Sequence, residues 1–148
     1  MASSTDIHGL ILLGNSGVGK SFLANCFLND DQAFESRFSA QSVTHLTEWK
    51  QMPGLNHRYY DVANIPGLIE ANQKLVSQNR DEIMNALGKY PSSIVIFVFG
   101  HRNGRIADED LVAFHLITDA YQFHPDSTLI FINGIPRDHP DEDRKSVV

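Results

Sequence analysis

A chain of 148 residues, 42% hydrophobic and 20% charged, has room for one domain with a buried core and not for two. Its net charge of −6 excludes wholesale binding to nucleic acid or anionic lipid through a basic surface. One cysteine, Cys26, allows no internal disulfide and suits a reducing compartment, so the expected location is the cytoplasm. The polar opening Met1–Asp6 does not read as a secretory signal. The longest apolar runs, Leu10–Leu13 and Ile94–Phe99, are too short to span a bilayer.

Gly9–Leu13 is apolar and runs into a glycine-rich loop, which predicts a buried strand. Ser21–Leu28 has helical spacing, with Phe22, Leu23, Cys26 and Phe27 on its packed sides, and Asn29-Asp30-Asp31 stops it. Ser42–Trp49 and His57–Ala63 alternate apolar with polar residues on either side of the turn signal Pro53-Gly54, so they predict a hairpin. Trp49, Tyr59 and Tyr60 are read as anchors of that sheet. Pro66-Gly67 breaks the chain again, and Lys74–Leu87 follows as a helix with Leu75, Ile83, Met84 and Leu87 at helical spacing.

Ile94–Phe99 is an unbroken β-branched and aromatic run, which predicts a central parallel strand covered on both faces. Asp108–Tyr121 predicts a helix whose first-turn acids suit its dipole and whose apolar stripe is Leu111, Phe114, Ile117 and Tyr121. Thr128–Ile132 predicts another buried strand. Strands alternating with helices in this way predict a three-layer α/β domain with a mostly parallel sheet.

Gly14-Asn-Ser-Gly-Val-Gly19-Lys20-Ser21 satisfies G-x-x-x-x-G-K-[ST] at each fixed position, after a predicted strand and before a predicted helix. The spacing has a physical reason. Glycines let the backbone of Gly14, Asn15, Ser16, Gly17, Val18 and Gly19 turn so that successive N–H groups face one anion. The following helix adds the positive end of its dipole. Lys20 is then placed to reach the β- and γ-phosphates, and the Ser21 hydroxyl to ligate Mg²⁺. Cys26, in the helix behind the loop, is grouped with the nucleotide-holding residues and reads as a packed core thiol. The seven histidines show no metal-ligand spacing.

Further segments extend the pattern. Leu12–Ser21 resembles the phosphate loop of GTPases; Ser42-Val43-Thr44 resembles a first-switch S-V-T segment; Asn64-Ile-Pro-Gly67-Leu68 resembles a D-T-P-G-L second switch. Gly104-Arg105-Ile-Ala-Asp-Glu109-Asp110 resembles a G-R-[FY]-T-x-E-[DE] segment that opens a helix. Together, from about Ile7 to Ile132, these resemble the immunity-associated nucleotide-binding (GIMAP-like) GTPases. The resemblance implies a G domain that binds GTP or GDP with Mg²⁺. It implies that Thr44 closes over Mg²⁺ and the γ-phosphate, and that the Gly67 N–H meets the γ-phosphate. It also implies that two chains pair across their nucleotide faces.

The departures from that family are specific. Asn64 stands where an Asp orients a water on Mg²⁺, so weaker Mg²⁺ binding is expected. Asp61 is the alternative carboxylate, three positions early. Leu68 replaces a water-orienting glutamine, so hydrolysis by one chain is expected to be slow. His101, Arg102 and Arg105, in the loop after the central strand, are the candidates to compensate, with Arg105 reaching a paired chain's phosphates. The base-reading [NT]-K-x-D motif is altered: Asn133 matches its first position, Gly134 and Pro136 break it, and Asp138 comes two residues late. The domain is expected to lack a last strand and helix, which would leave a sheet edge open.

Three functions fit these residues: a GTP-hydrolysing switch, a catalytically silent nucleotide-binding scaffold, and an ATPase or small-molecule kinase. The third lacks an obvious lid and a carboxylate-ended strand, Asp61 aside.

Overall fold

Apolar runs without polar interruption form the two central strands, because only a strand covered on both faces suits them. The structure, a computed structural model, describes residues 7–34, 47–54, 59–65, 73–90 and 92–134, with the backbone alone for Asn64, residues 73–79 and Arg102. In chain order the elements are β1 (Ile7–Leu13), α1 (Lys20–Leu28), β2 (Glu48–Pro53), β3 (Tyr59–Asn64), α2 (Gln73–Lys89), β4 (Ile94–Arg102), β5 (Arg105–Ile106), α3 (Asp108–Ala120) and β6 (Thr128–Asn133). Asn29, in the left-handed conformation at the end of α1, stops that helix as its sequence suggests.

β1 pairs in parallel with β3 on one side and β4 on the other, and β6 pairs in parallel beyond β4. β2 lies antiparallel on β3, which is the expected pairing, with β2 at Glu48–Pro53; residues 42–46 of the expected first strand lie outside the described residues. Alternation along the strands feeds two core layers. On one face Leu10, Leu12, Val62, Ile96 and Val98 meet Leu23 and Ala24 of α1 and the buried Phe34. On the other, Ile11, Leu13, Val95, Phe97 and Phe99 meet Ile83 and Ala86 of α2 and Phe114 and Ile117 of α3. This is the three-layer α/β arrangement with a mostly parallel sheet. The loop after α1 is held by Asn25: its Oδ1 accepts from the Phe34 N–H at 2.7 Å and its Nδ2 donates to the Phe34 carbonyl at 2.9 Å.

Four expectations about burial are corrected. Cys26 is exposed rather than packed in the core, and Phe22 and Phe27 are exposed as well. The inward side of α1 is occupied by Lys20, Leu23, Ala24 and Asn25, and Phe22 and Cys26, four residues apart, share the outer flank. Met84 is exposed because α2 turns Ile83, Ala86 and Leu87 to the sheet. Leu111 is exposed because α3 buries Asp110 and Ala113 instead. β6 is a strand but not a buried one; Leu129, Ile130, Phe131 and Ile132 are all exposed. Among the described residues it has a strand neighbour on one side, while α1 lies over β1, β2 and β3, and α3 over β4.

Besides a 3-10 turn at Pro125–Ser127, one further feature has no counterpart among the elements expected from the sequence. The segment expected to be a loop after the central strand is a hairpin, with His101 opposite Ile106 and Arg102 opposite Arg105. Its turn residues, Asn103 (φ 49°) and Gly104 (φ 78°), are both left-handed, as a two-residue connection between twisted strands requires. The Asn-Gly pair was the sequence signal for it.

Phe97 is 2% exposed and meets Phe114 edge-on at 4.8 Å and Phe123 at 5.8 Å. Truncating it to Ala is expected to cost about 3–5 kcal/mol of stability. Leu116→Ala, on the exposed side of α3, is expected to change stability by less than about 0.5 kcal/mol. Urea unfolding midpoints of the two variants check this contrast.

Candidate functional site

The parallel register brings four strand ends to one edge of the sheet. Leu12 lies opposite Asn64, and Gly100 lies opposite Asn133, with Gly14 following directly on β1. From β1 the chain winds out to β3, and from β4 to β6, so a crevice opens between the carboxyl ends of β1 and β4. The segment from Gly14 to Gly19 occupies that crevice and leads into α1.

The loop is folded around its own lysine. Lys20 is 7% exposed, and its ammonium donates to the carbonyls of Gly14 at 3.0 Å and Asn15 at 2.9 Å. Turning two carbonyls inward toward Nζ fixes the course of the ring. Gly19 precedes α1 with φ 99° and offers no side-chain cap, so the positive end of the helix dipole faces the ring. Ser16 and Gly17 form the exposed tip, and Ser21 lies half-buried in the first turn of α1.

Two long-range contacts hold this ring to the sheet. Asn133, at the end of β6, donates from Nδ2 to the Val18 carbonyl at 2.9 Å. It lies so close to Gly19 that a Cβ there would collide with the Asn133 amide. Asp110 is the second anchor. Its Oδ1 accepts from Asn15 Nδ2 at 3.0 Å and its Oδ2 from the Gly100 N–H at 2.9 Å. The sequence places Asp110 among the first-turn acids that suit the α3 dipole. No local pattern reveals a contact that spans 95 residues.

The remaining candidates divide clearly. Arg105 is exposed on β5, and the root of its hairpin is tied to the loop through Gly100 and Asp110. Cys26 lies on the outer flank of α1, six residues and about 9 Å along the axis from Lys20. Thr44, Gly67, Leu68 and Asp138 lie outside the described residues. Asp61 is corrected as an alternative Mg²⁺ carboxylate. It sits opposite Gly9, three residues and about 10 Å short of the strand end. Its Oδ2 is already engaged, accepting from the Tyr90 hydroxyl at 2.8 Å and from Lys89 Nζ at 3.2 Å. Burial, and then that carboxylate, push the Tyr90 phenol above its ordinary pKa.

A strand, a ring of main-chain groups around a buried ammonium, and a helix N-terminus at the carboxyl edge of a parallel sheet define a P-loop domain of the G type. The chain belongs to the AIG1 family, whose model matches residues 8–132. That family takes in the GIMAP-like and Toc-like P-loop GTPases, so the resemblance seen in the sequence holds.

Solved structures share the fold. A dimerization-deficient variant of Toc33 from Arabidopsis thaliana is 18% identical with a TM-score of 0.59, over 96% of this chain and 58% of that one. A second structure, from work on dimerization and the GTPase activity of the chloroplast translocon components atToc33 and psToc159, is 19% identical with a TM-score of 0.63, over 96% and 57%. Era, solved with MgGDPNP and part of 16S ribosomal RNA, is 17% identical with a TM-score of 0.52, over 97% and 56%. The chain therefore spans a little over half the length of these proteins. Among curated protein sequences there is no match. Among the described residues, no helix is long and apolar enough to cross a membrane.

Gly19→Ala places a methyl group against the Asn133 amide at a left-handed φ. It is expected to weaken nucleotide binding by about tenfold or more, from strain and displacement together. Asn133→Ala removes one neutral hydrogen bond to the loop and is expected to weaken binding roughly twofold to tenfold. Titration with a fluorescent guanine nucleotide measures both, with circular dichroism as the control for folding.

Proposed function

We propose that this chain is a GTP-binding switch that hydrolyses GTP slowly alone and faster when two copies pair across their nucleotide faces. The observation that carries this reading is the loop already closed around Lys20, with its ammonium at 3.0 and 2.9 Å from two loop carbonyls. Such a ring already gathers an ammonium and a helix N-terminus at one place, and charges and dipoles positioned beforehand act more effectively than ones that must first be ordered.

In this reading the main chain from Gly14 to Gly19 cradles the phosphates and Lys20 meets the β- and γ-phosphate oxygens. Among the described residues, no three His, Cys, Asp or Glu side chains gather into a metal site. The donors that fit Mg²⁺ here are the Ser21 hydroxyl and, by family resemblance, Thr44, with the phosphates themselves. Asn64 in place of Asp supplies no charge, which favours weaker Mg²⁺ dependence. Gly67 donates to the γ-phosphate by the same resemblance, and Asn133 and Asp138 are the residues nearest in position to the base-reading motif.

Leu68 offers nothing to orient water, so the chain needs another group in the transition state. Arg105 is suited to that part, since it is exposed on a hairpin rooted beside the loop. The dimerization reported as important for the GTPase activity of atToc33 and psToc159 supports the same arrangement here. A second copy of this chain is thus the partner proposed, and the cytoplasm the compartment.

Nucleotide released from the purified, denatured protein is expected to be GDP or GTP, identified by chromatography. Lys20→Ala should come out empty, because each charge-assisted contact it loses is worth about 1.5–3 kcal/mol. A wild-type protein that prefers ATP in competition would overturn the assignment of the base. Turnover per molecule is expected to rise with protein concentration, and Arg105→Ala to remove that rise, since a positioned arginine contributes about 10³-fold or more. A turnover that stays flat rules out catalysis by a paired chain.

A further inference from the structure

Asp110 is placed where a helix-dipole acid has no need to be. Asp108 and Glu109, its neighbours in the first turn of α3, are exposed and complement the dipole from solvent. Asp110 is 7% exposed. A carboxylate taken out of water needs hydrogen bonds to replace its solvation. Here the two oxygens obtain them from two different elements, the phosphate loop and the end of β4.

Both partners stand at sensitive places. Asn15 donates to Asp110 from its side chain, while its own carbonyl accepts from the Lys20 ammonium. Gly100 is the last residue of β4 before the hairpin of His101–Ile106, and α3 begins two residues after that hairpin ends. The bond from the Gly100 N–H to Asp110 closes the root of the hairpin. The same carboxylate links that root to the loop.

We propose that Asp110 is a positioning residue that couples nucleotide occupancy of the phosphate loop, through Asn15, to the hairpin that presents Arg105. The proposal rests on the binding of GTP or GDP at residues 14–21. Phosphate draws on the Lys20 ammonium, which shares its bonds between phosphate oxygens and the Asn15 carbonyl. The Asn15 peptide adjusts, its side-chain amide moves with it, and the carboxylate follows. In a close-packed interior such a shift passes on to the hairpin root and is not absorbed locally. A paired chain then receives Arg105 in a geometry that depends on the nucleotide held in the chain presenting it.

The test is hydrogen exchange by mass spectrometry with and without GDP, at concentrations that saturate each protein. In the wild type, GDP is expected to slow exchange over residues 14–21 and also over 101–106. Asp110→Asn sets a side-chain N–H₂ against one of two donors and breaks the link. Asn15→Ala breaks it from the other end, and carries the test should the first variant fail to fold. In either variant the response of the hairpin to GDP should fall about fivefold or more, a typical size for coupling between sites. Asp110→Asn should also lose the rise of turnover with protein concentration at saturating GTP, and adding Arg105→Ala should cause no further loss. A hairpin response that survives in both variants overturns the proposal. So does its absence in the wild type while residues 14–21 are protected, and so do additive losses with Arg105→Ala. No protection of residues 14–21 in the wild type defeats the proposed function itself.

Discussion

A lysine ammonium withdrawn from water and held between two backbone carbonyls is the contact on which the site depends. Carbonyl dipoles turned toward a cation offset part of its lost hydration, and in doing so they commit the loop to one course. The amides of the loop then have a fixed orientation, and the N-terminus of α1 adds a partial positive charge. The Lys20 ammonium and the N-terminus of α1 lie together at this loop in a chain whose net charge is −6. In the proposed function, a phosphate ligand is selected by this local geometry and not by a general electrostatic attraction.

The ring keeps its shape because the sheet holds it at both ends. Parallel pairing puts the ends of β1, β4 and β6 side by side, so that Gly14, Gly100 and Asn133 come within reach of one loop. Asn133 fastens Val18 and Asp110 fastens Asn15, and each of these contacts leaves a buried polar group satisfied. An isolated glycine-rich octapeptide would have no reason to prefer this course, since glycine loses the most conformational freedom on ordering. Sheet topology supplies the order that the loop's composition lacks.

Among the described residues, the same topology leaves one flank uncovered. β6 presents four consecutive apolar residues, Leu129 to Ile132, without a helix among the described residues over them. Exposed apolar edge strands are templates for association. Among solved relatives of the fold, this chain spans a little over half the length. On the opposite flank of α1, Phe22 and Cys26 are exposed in the same way.

The sequence alone determined the local chemistry of this protein. The fixed glycines, Lys20 and Ser21 announce a phosphate loop, because main-chain turning and one ammonium are properties of a short segment. Uninterrupted runs such as Ile94–Phe99 announce central strands, because periodicity reports how many faces are covered. Only the tertiary structure decided which faces found a partner. Phe22, Met84 and Leu111 look like core residues until the packing of α1, α2 and α3 turns them outward. Asp110 looks like a surface acid until the end of β4 and the loop arrive on either side of it. Asp61 looks free to meet a cation until register places it opposite Gly9, beside Lys89 and Tyr90. Sequence pattern records what each segment can do within a few residues, whereas burial and long-range hydrogen bonds depend on neighbours that folding brings from elsewhere in the chain.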